Sequence, residues 1–125
     1  MIGRERRVMV VEDDEDIREL VVQVISELGF ESVGFADGSA ALAALRRPGA
    51  LPSVILLDLE MPGMTGWEFR REQLADPLLA GIPVVVTSGV TPAPIEADAY
   101  LAKPYGTAEL CQVLARLSLR ASAAA

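Results

Sequence analysis

The chain alternates short apolar segments with segments in which apolar residues recur at helical spacing. The three clearest apolar segments, 8–11, 54–57 and 84–86, show no alternation of polar and apolar side chains. Such runs are typical of strands that are buried on both faces. Shorter candidate strands lie at 31–35 and 100–102. Strands of this kind, separated by helices, predict an α/β fold in which a doubly wound parallel sheet carries helices on both faces.

Helical segments are predicted after four of these strands. Apolar spacing favours helices over 17–28, 40–46 and 67–74, and a last helix that begins at Thr107. The third of these has polar residues, Gln73 among them, on the face that should be apolar. Strand and helix therefore alternate along the chain, except between the fourth and fifth strands.

Length and composition indicate one small domain and exclude several kinds of catalytic and metal site. We expect one domain over 6–119 with flexible ends at 1–5 and 120–125, because no linker or repeat divides the 125 residues. The chain has no histidine and one cysteine, Cys111. This excludes imidazole-based hydrolase triads, histidine-rich zinc sites and internal disulfides.

Net charge and hydropathy also limit the partners. The formal net charge of −7 disfavours a basic nucleic-acid-binding face and attachment to anionic lipid. No apolar run approaches the roughly 20 residues that cross a bilayer. We therefore expect a cytoplasmic protein that contacts neither nucleic acid directly nor a membrane.

Polar residues stand at the points where the predicted strands end. The carboxyl ends of parallel strands meet at one edge of a doubly wound sheet, which is where such folds bind ligands. The residues that this places together are Glu12 and Asp13 after the first strand, Asp58 after the third, Thr87 and Ser88 after the fourth, and Lys103 after the fifth. The acids 14–16 are interpreted instead as a helix cap and favourable charge at a helix N-terminus.

This set of side chains predicts a metal and phosphoryl site. Close carboxylates repel one another and raise one another's pKa unless a cation neutralises them. Oxygen donors without imidazole or thiolate suit Mg²⁺. A lysine and a hydroxyl beside the metal can compensate the charge of phosphoryl oxygens, and an aspartate can be the nucleophile. Either Thr87 or Ser88 can supply the hydroxyl, and the spacing from Pro83 favours Ser88.

The sequence resembles the receiver domain of two-component response regulators over about 6–119. The resemblance rests on four segments, which are VVED at 10–13, LDLEMPG at 57–63, TSG at 87–89 and KP at 103–104. It implies a flavodoxin-like sheet of five strands in the order 2-1-3-4-5. It also implies a protein that catalyses its own phosphorylation and dephosphorylation.

The resemblance implies a role for each of the three acids Glu12, Asp13 and Asp58, here called the acidic cluster. Asp58 would accept a phosphoryl group from a phosphohistidine on a sensor histidine kinase or a histidine phosphotransfer protein. Glu12 and Asp13 would hold Mg²⁺ together with Asp58. The backbone carbonyl of Glu60 would be a further metal ligand.

The resemblance also implies how the phosphoryl group is bound and sensed. Ser88 would donate a hydrogen bond to one phosphate oxygen, and Lys103 would pair with another. Tyr100 matches the aromatic residue that turns inward when the hydroxyl residue moves toward the phosphate. The signal would pass to a downstream protein whose binding changes.

One segment departs from that family. The stretch between Ser88 and Lys103 is shorter than usual, and it contains Pro92 and Pro94, which cannot both lie inside a helix without breaking it. We therefore predict that the helix between the fourth and fifth strands, the fourth of the family's five, is missing or reduced to about one turn. The dimer that this helix mediates in the family is not expected.

Two other functions fit the same residues. A receiver-like module could act as a scaffold that binds its partner independently of phosphorylation, as the shortened segment suggests. A small aspartate-based phosphatase could use Asp58 as nucleophile and Glu60 as general acid, although the sequence Met-Pro-Gly after Glu60 and the lack of a substrate-capping insertion disfavour it.

Overall fold

Five parallel strands form a single sheet in the order β2-β1-β3-β4-β5. A computed structural model of the chain describes residues 6–90 and 95–124, with side chains as far as residue 118. The elements are β1 (Arg7–Val11), α1 (Glu15–Glu27), β2 (Glu31–Phe35), α2 (Gly38–Leu45), β3 (Val54–Asp58), α3 (Gly66–Ala75), β4 (Val84–Ser88), β5 (Ala99–Ala102) and α4 (Thr107–Ala124). The prediction of a doubly wound, flavodoxin-like parallel sheet in the order 2-1-3-4-5 is confirmed.

The sheet separates two apolar cores, and this explains the uninterrupted apolar runs. Alternate residues of the inner strands β1, β3 and β4 enter opposite cores. Met9 and Val11 pack with α2 and α3, whereas Val8 and Val10 pack with α1 and α4. All five residues of β3 are buried, including the aspartate that ends it. A strand in the centre of such a sheet has no solvent-facing side on which polar residues could alternate.

Side-chain caps set the starts of the first three helices. The carboxylate of Asp14 accepts from the backbone N–H of Ile17, at 3.1 Å, which confirms that this acid is a helix cap. Asp37 caps α2 in the same way, so this helix begins at Gly38 rather than at the predicted residue 40. Thr65 and Glu68 form a capping box at the start of α3.

The polar residue on the apolar face of α3 is buried and satisfied. The side-chain amide of Gln73 donates to the carbonyls of Leu79, at 2.9 Å, and Ile82, at 3.1 Å. Its oxygen accepts from Arg70 at 2.8 Å. Gln73 therefore connects α3 to the loop that leads into β4. Burial of its amide costs little free energy, because all of these polar atoms have hydrogen-bond partners.

The connection from β4 to β5 is short. The described residues 89–90 and 95–98 contain no helix, which confirms that the helix expected between these strands is missing or reduced. Pro92 and Pro94 lie outside the described residues. From residue 95 the chain lies on the face of the sheet that carries α3, where Ile95 packs against the core and the Arg70 side chain donates to the carbonyl of Glu96 at 3.1 Å.

Of the two ends that the sequence predicts to be flexible, the structure describes the backbone of only the C-terminal one. Residues 1–5 lie outside the described residues, whereas the backbone of α4 is helical as far as Ala124. No helix within the described ranges has the length and apolar character needed to cross a membrane.

Candidate active site

The carboxyl ends of four strands bring the predicted polar residues to one edge of the sheet. Glu12 and Asp13 directly follow β1, Asp58 ends β3, Ser88 ends β4, and Lys103 directly follows β5. Oxygen atoms from the carboxylates of Glu12, Asp13 and Asp58 all lie within 4.8 Å of one another. The three acids predicted for the metal site therefore form one cluster.

Lys103 bridges the two buried acids of this cluster. Its ammonium nitrogen Nζ lies 3.1 Å from Oε1 of Glu12 and 3.2 Å from Oδ1 of Asp58. The Asp58 and Glu12 side chains are 3% and 8% exposed, respectively, whereas Asp13 is exposed to solvent. One cation thus compensates two buried anions, and the cluster retains an excess of negative charge.

Asp58 is incompletely satisfied. Among the described residues, Oδ1 of Asp58 is the buried side-chain atom without a well-formed hydrogen bond, and the group beside it is the ammonium of Lys103, at an ion-pair distance of 3.2 Å. Burial, and after it the charge of Glu12, raise the pKa of Asp58 to about 6, although Lys103 opposes the shift. Burial would lower the pKa of Lys103, yet the charges of Asp58 and Glu12 together raise it.

Glu12 is held more completely than Asp58. Its Oε1 faces Lys103, and its Oε2 accepts from the backbone N–H of Asp14 at 3.2 Å. The side chain of Arg18 donates to the backbone carbonyl of Glu12 at 2.9 Å and fixes the end of β1 from α1. Arg18 was not predicted as a site residue, because its place in the helical pattern marks it only as a polar position. The sequence signal that could have indicated a close approach is the glycine at residue 34, inside β2. In the structure a Cβ there would lie 2.9 Å from Cγ of Arg18.

Ser88 is buried and contacts the loop that follows Asp58. Its hydroxyl donates to the Glu60 side chain, Oγ to Oε2, at 3.3 Å and accepts from the backbone N–H of Val90 at 3.0 Å. The contact with Glu60 was not predicted, because it depends on side-chain directions in two separate loops. Thr87, the alternative hydroxyl, is also buried, and its backbone carbonyl accepts from the N–H of Leu59.

Tyr100 lies away from the acidic cluster. Its ring is half-exposed, and its hydroxyl donates to the carbonyl of Ile95 at 2.6 Å and accepts from the N–H of Ala97 at 3.0 Å. In this structure Tyr100 fastens the short β4–β5 connection. The peptide bond between Lys103 and Pro104 is cis.

The donor set fits a hard divalent cation. The cluster offers carboxylate oxygens, one of them buried without a well-formed hydrogen bond, and the single charge of Lys103 does not balance its three acids. Mg²⁺ takes one or two carboxylates, carbonyls and waters, without needing nitrogen or sulfur. The predicted carbonyl ligand, Glu60, stands two residues after Asp58 at the start of the β3–α3 loop.

Comparison with known proteins agrees with this arrangement. Residues 8–115 match the family model of the response regulator receiver domain. The chain is 36% identical over 120 residues to the DNA-binding response regulator MtrA of Mycolicibacterium smegmatis, a match that covers 90% of this chain and 50% of MtrA. The chain thus spans about half the length of the curated relatives it matches. Because MtrA binds DNA, the expectation of no direct nucleic-acid contact finds no support in this relative.

Solved structures share the fold. The chemotaxis protein CheY4 of Vibrio cholerae superposes with a TM-score of 0.81 at 28% identity, covering 90% of this chain and 98% of CheY4. The receiver domain of the sensor histidine kinase PA1611 of Pseudomonas aeruginosa PAO1, solved with a magnesium ion in its active site cleft, superposes with a TM-score of 0.82 at 24% identity over 94% of this chain and 98% of that one. The chain belongs to the response regulator receiver domain family of two-component signal transduction.

Proposed function

We propose that this receiver domain accepts a phosphoryl group on Asp58 from a phosphohistidine of a sensor histidine kinase or a histidine phosphotransfer protein. The environment of Asp58 carries the proposal: a buried carboxylate with an unsatisfied oxygen lies beside an ammonium group and two further carboxylates. Buried polar atoms of a purely structural acid are normally satisfied. The chain has no histidine, so the donor imidazole belongs to the partner.

The transfer step needs an ionised Asp58 with its charge partners in place. One carboxylate oxygen attacks phosphorus while the P–N bond to the donor imidazole breaks, and the imidazole nitrogen leaves with the electron pair of that bond. With a pKa of about 6, Asp58 is mainly ionised at neutral pH. Lys103 already lies 3.2 Å from Asp58 and can pair with a phosphoryl oxygen with little rearrangement.

Mg²⁺ is the proposed cofactor. Glu12, Asp13 and Asp58 would hold it through side-chain oxygens, and Glu60 through its backbone carbonyl. When bound, it neutralises the excess charge of the acidic cluster and offsets the negative charge on the oxygens of the transferring group.

Ser88 and Tyr100 are the proposed switch residues. Ser88 would donate a hydrogen bond to a phosphoryl oxygen, and the ring of Tyr100 would turn inward at the β4–β5 connection. The affinity for a downstream protein would change as a result. A dimer mediated by a helix between β4 and β5 is not part of the proposal, because the described residues 89–90 and 95–98 contain no helix. The proposed functional unit is the domain over 6–119, acting in the cytoplasm.

Intact-mass measurement tests the proposed phosphorylation. The chain is incubated with Mg²⁺ and acetyl phosphate, a small acyl phosphate, beside the variant Asp58→Asn. We expect the mass of one phosphoryl group to be added to the unmodified chain only. An unchanged mass under conditions that label a control receiver domain would count against the proposal, and so would equal labelling of the variant.

The shortened β4–β5 connection favours a second candidate, a module that binds its partner independently of phosphate. The helix that is missing or reduced there belongs to the surface through which the family's signal is expected to pass. Partner binding by the unmodified chain, the phosphorylated chain and Asp58→Asn separates the two functions. Equal affinities in all three states would favour the scaffold.

A further inference from the structure

The hydroxyl group of Ser88 is fully engaged in this structure. A serine hydroxyl has one proton to donate and can accept hydrogen bonds on its lone pairs. The proton is directed to Oε2 of Glu60, at 3.3 Å, and the oxygen accepts from the N–H of Val90 at 3.0 Å. Ser88 is 2% exposed, so water has little access with which to replace either partner.

A phosphoryl group on Asp58 would need the same proton. Its oxygens are acceptors, and a hydrogen bond from Ser88 to one of them requires that the bond to Glu60 be broken. Both acceptors are charged, so Glu60 and the phosphoryl group compete for the same proton, and at 3.3 Å the contact with Glu60 is longer than a strong charge-assisted hydrogen bond. Exposure of the Glu60 side chain weakens the competition without removing it, because the contact ends on a buried hydroxyl.

We propose that the carboxylate of Glu60 is a positioning element that holds the Ser88 hydroxyl in the unphosphorylated state and competes with the phosphoryl group for its proton. The inference rests on the proposed phosphorylation of Asp58 and goes beyond it, because it gives the Glu60 side chain a role separate from that of its backbone carbonyl. Removing the carboxylate leaves the carbonyl in place, so the metal site is retained while the competition is lost.

Equilibrium binding of beryllium trifluoride, a non-covalent mimic of a phosphoryl group, tests the inference in the presence of Mg²⁺. We expect Glu60→Ala to bind the mimic about three- to tenfold more tightly than the unmodified chain, the range that corresponds to loss of a hydrogen bond of ordinary strength. Glu60→Gln should lie between the two, since a neutral amide oxygen still accepts but more weakly. Glu19→Ala, on the exposed face of α1, is the control for the change in net charge.

Variants of Ser88 separate competition from simple charge repulsion. In the background Ser88→Ala, Glu60→Ala should leave affinity for the mimic unchanged, whereas in Ser88→Thr, which keeps a hydroxyl, the gain should persist. An equal gain with and without the hydroxyl would overturn the inference, because Glu60 would then act by repelling the anion. Weaker binding by Glu60→Ala would overturn it as well.

A measurement without any phosphoryl mimic completes the test. The N–H of Val90 donates to Ser88, so its amide resonance should shift when Glu60→Ala is introduced into the unphosphorylated chain. When Glu60→Ala is introduced into the Ser88→Ala background instead, the resonance should not shift further. An unmoved resonance in both backgrounds would overturn the proposed hold on the hydroxyl. Failure of the unmodified chain to bind the mimic or to be labelled by acetyl phosphate would instead show that the proposed function itself is wrong.

Discussion

At the scale of single residues, the acidic cluster is arranged at a cost to the stability of the metal-free protein. Asp58 ends a central strand with 3% of its side chain exposed, and an acid at this depth is stable only when its charge is compensated. Lys103 divides its charge between Asp58 and Glu12. Lys103 therefore compensates the charge of Asp58 only in part, and burial together with Glu12 raises the pKa of Asp58 to about 6.

This raised pKa predicts that Asp58→Asn stabilises the metal-free protein at neutral pH. Because the pKa of Asp58 is higher in the folded than in the unfolded chain, the stability that it contributes is fully present below pH 4 and is lost as the pH rises through about 6. We expect the variant to gain about 1–3 kcal/mol in free energy of unfolding at pH 7 and little at pH 4. Denaturant unfolding in the presence of a chelator measures both values.

The difference between the two proteins is the informative quantity in that experiment. Acids that do not interact with Asp58 contribute equally in both proteins and cancel. A difference that stays constant from pH 4 to pH 7 would contradict a raised pKa at Asp58. A less stable variant at pH 7 would show that the ion pair with Lys103 outweighs the effect of burial.

At the scale of elements, the start of α3 is packed directly against the end of β3. The N–H of Gly66 donates to the carbonyl of Leu59 at 3.0 Å. A Cβ on Gly66 would lie 2.6 Å from the carbonyl oxygen of Asp58 and 2.7 Å from Cα of Leu59. Both are backbone atoms that cannot rotate away, so α3 and the residues that follow Asp58 hold their positions only with glycine at residue 66.

Gly66→Ala is therefore expected to destabilise the protein by about 2 kcal/mol or more and to slow labelling of Asp58. The reason is that relief of the contact must move β3 or α3 and with them the loop that carries Glu60. Gly106→Ala is the matched control, since a Cβ there meets only the Glu109 side chain at 3.7 Å. Equal unfolding free energies for the two variants, within about 0.5 kcal/mol, would show that the packing at Gly66 is looser than described.

The elements also show how far the sequence reasoning extends. Buried parallel strands are uniformly apolar, so the runs before Glu12 and Asp58 located the strand ends and hence the acidic cluster. The start of α2 was predicted two residues too late, because the cap is Asp37 and the helix already includes Gly38 and Ser39. The bond between Ser88 and Glu60 could not be foreseen, because it depends on side-chain rotamers in loops whose paths the sequence does not specify.

Tyr100 marks the limit of inference from a family pattern. Its position on β5 follows from the sequence, but its hydroxyl is held by the short segment that replaces most of a helix. Strand alternation places its side chain opposite those of Ala99 and Leu101, which are buried. Which way the ring turns depends on what covers that face, and the covering segment is where this chain departs from its family.

At the scale of the whole molecule, the fold holds the acidic cluster together by packing of distant segments. Glu12 and Lys103, which form an ion pair at 3.1 Å, are 91 residues apart in the chain. Such a site does not exist in the unfolded chain, so a cation that binds it stabilises the folded state by mass action. Binding of a cation at this site would therefore be coupled to folding through all the strands that end there.

This coupling predicts that Mg²⁺ stabilises the folded protein and that the effect depends on Asp13. Asp13 is exposed, so Asp13→Asn should change the stability of the metal-free protein little. With the unmodified chain, Mg²⁺ at ten to a hundred times its dissociation constant should add about 1–3 kcal/mol to the free energy of unfolding, and most of this gain should disappear in the variant. Asp16→Asn, an equal change of charge in the first turn of α1, should retain the gain. Denaturant unfolding at pH 7 with and without Mg²⁺ measures all three proteins, and equal gains in all of them would mean that the cation acts by general screening rather than at this site.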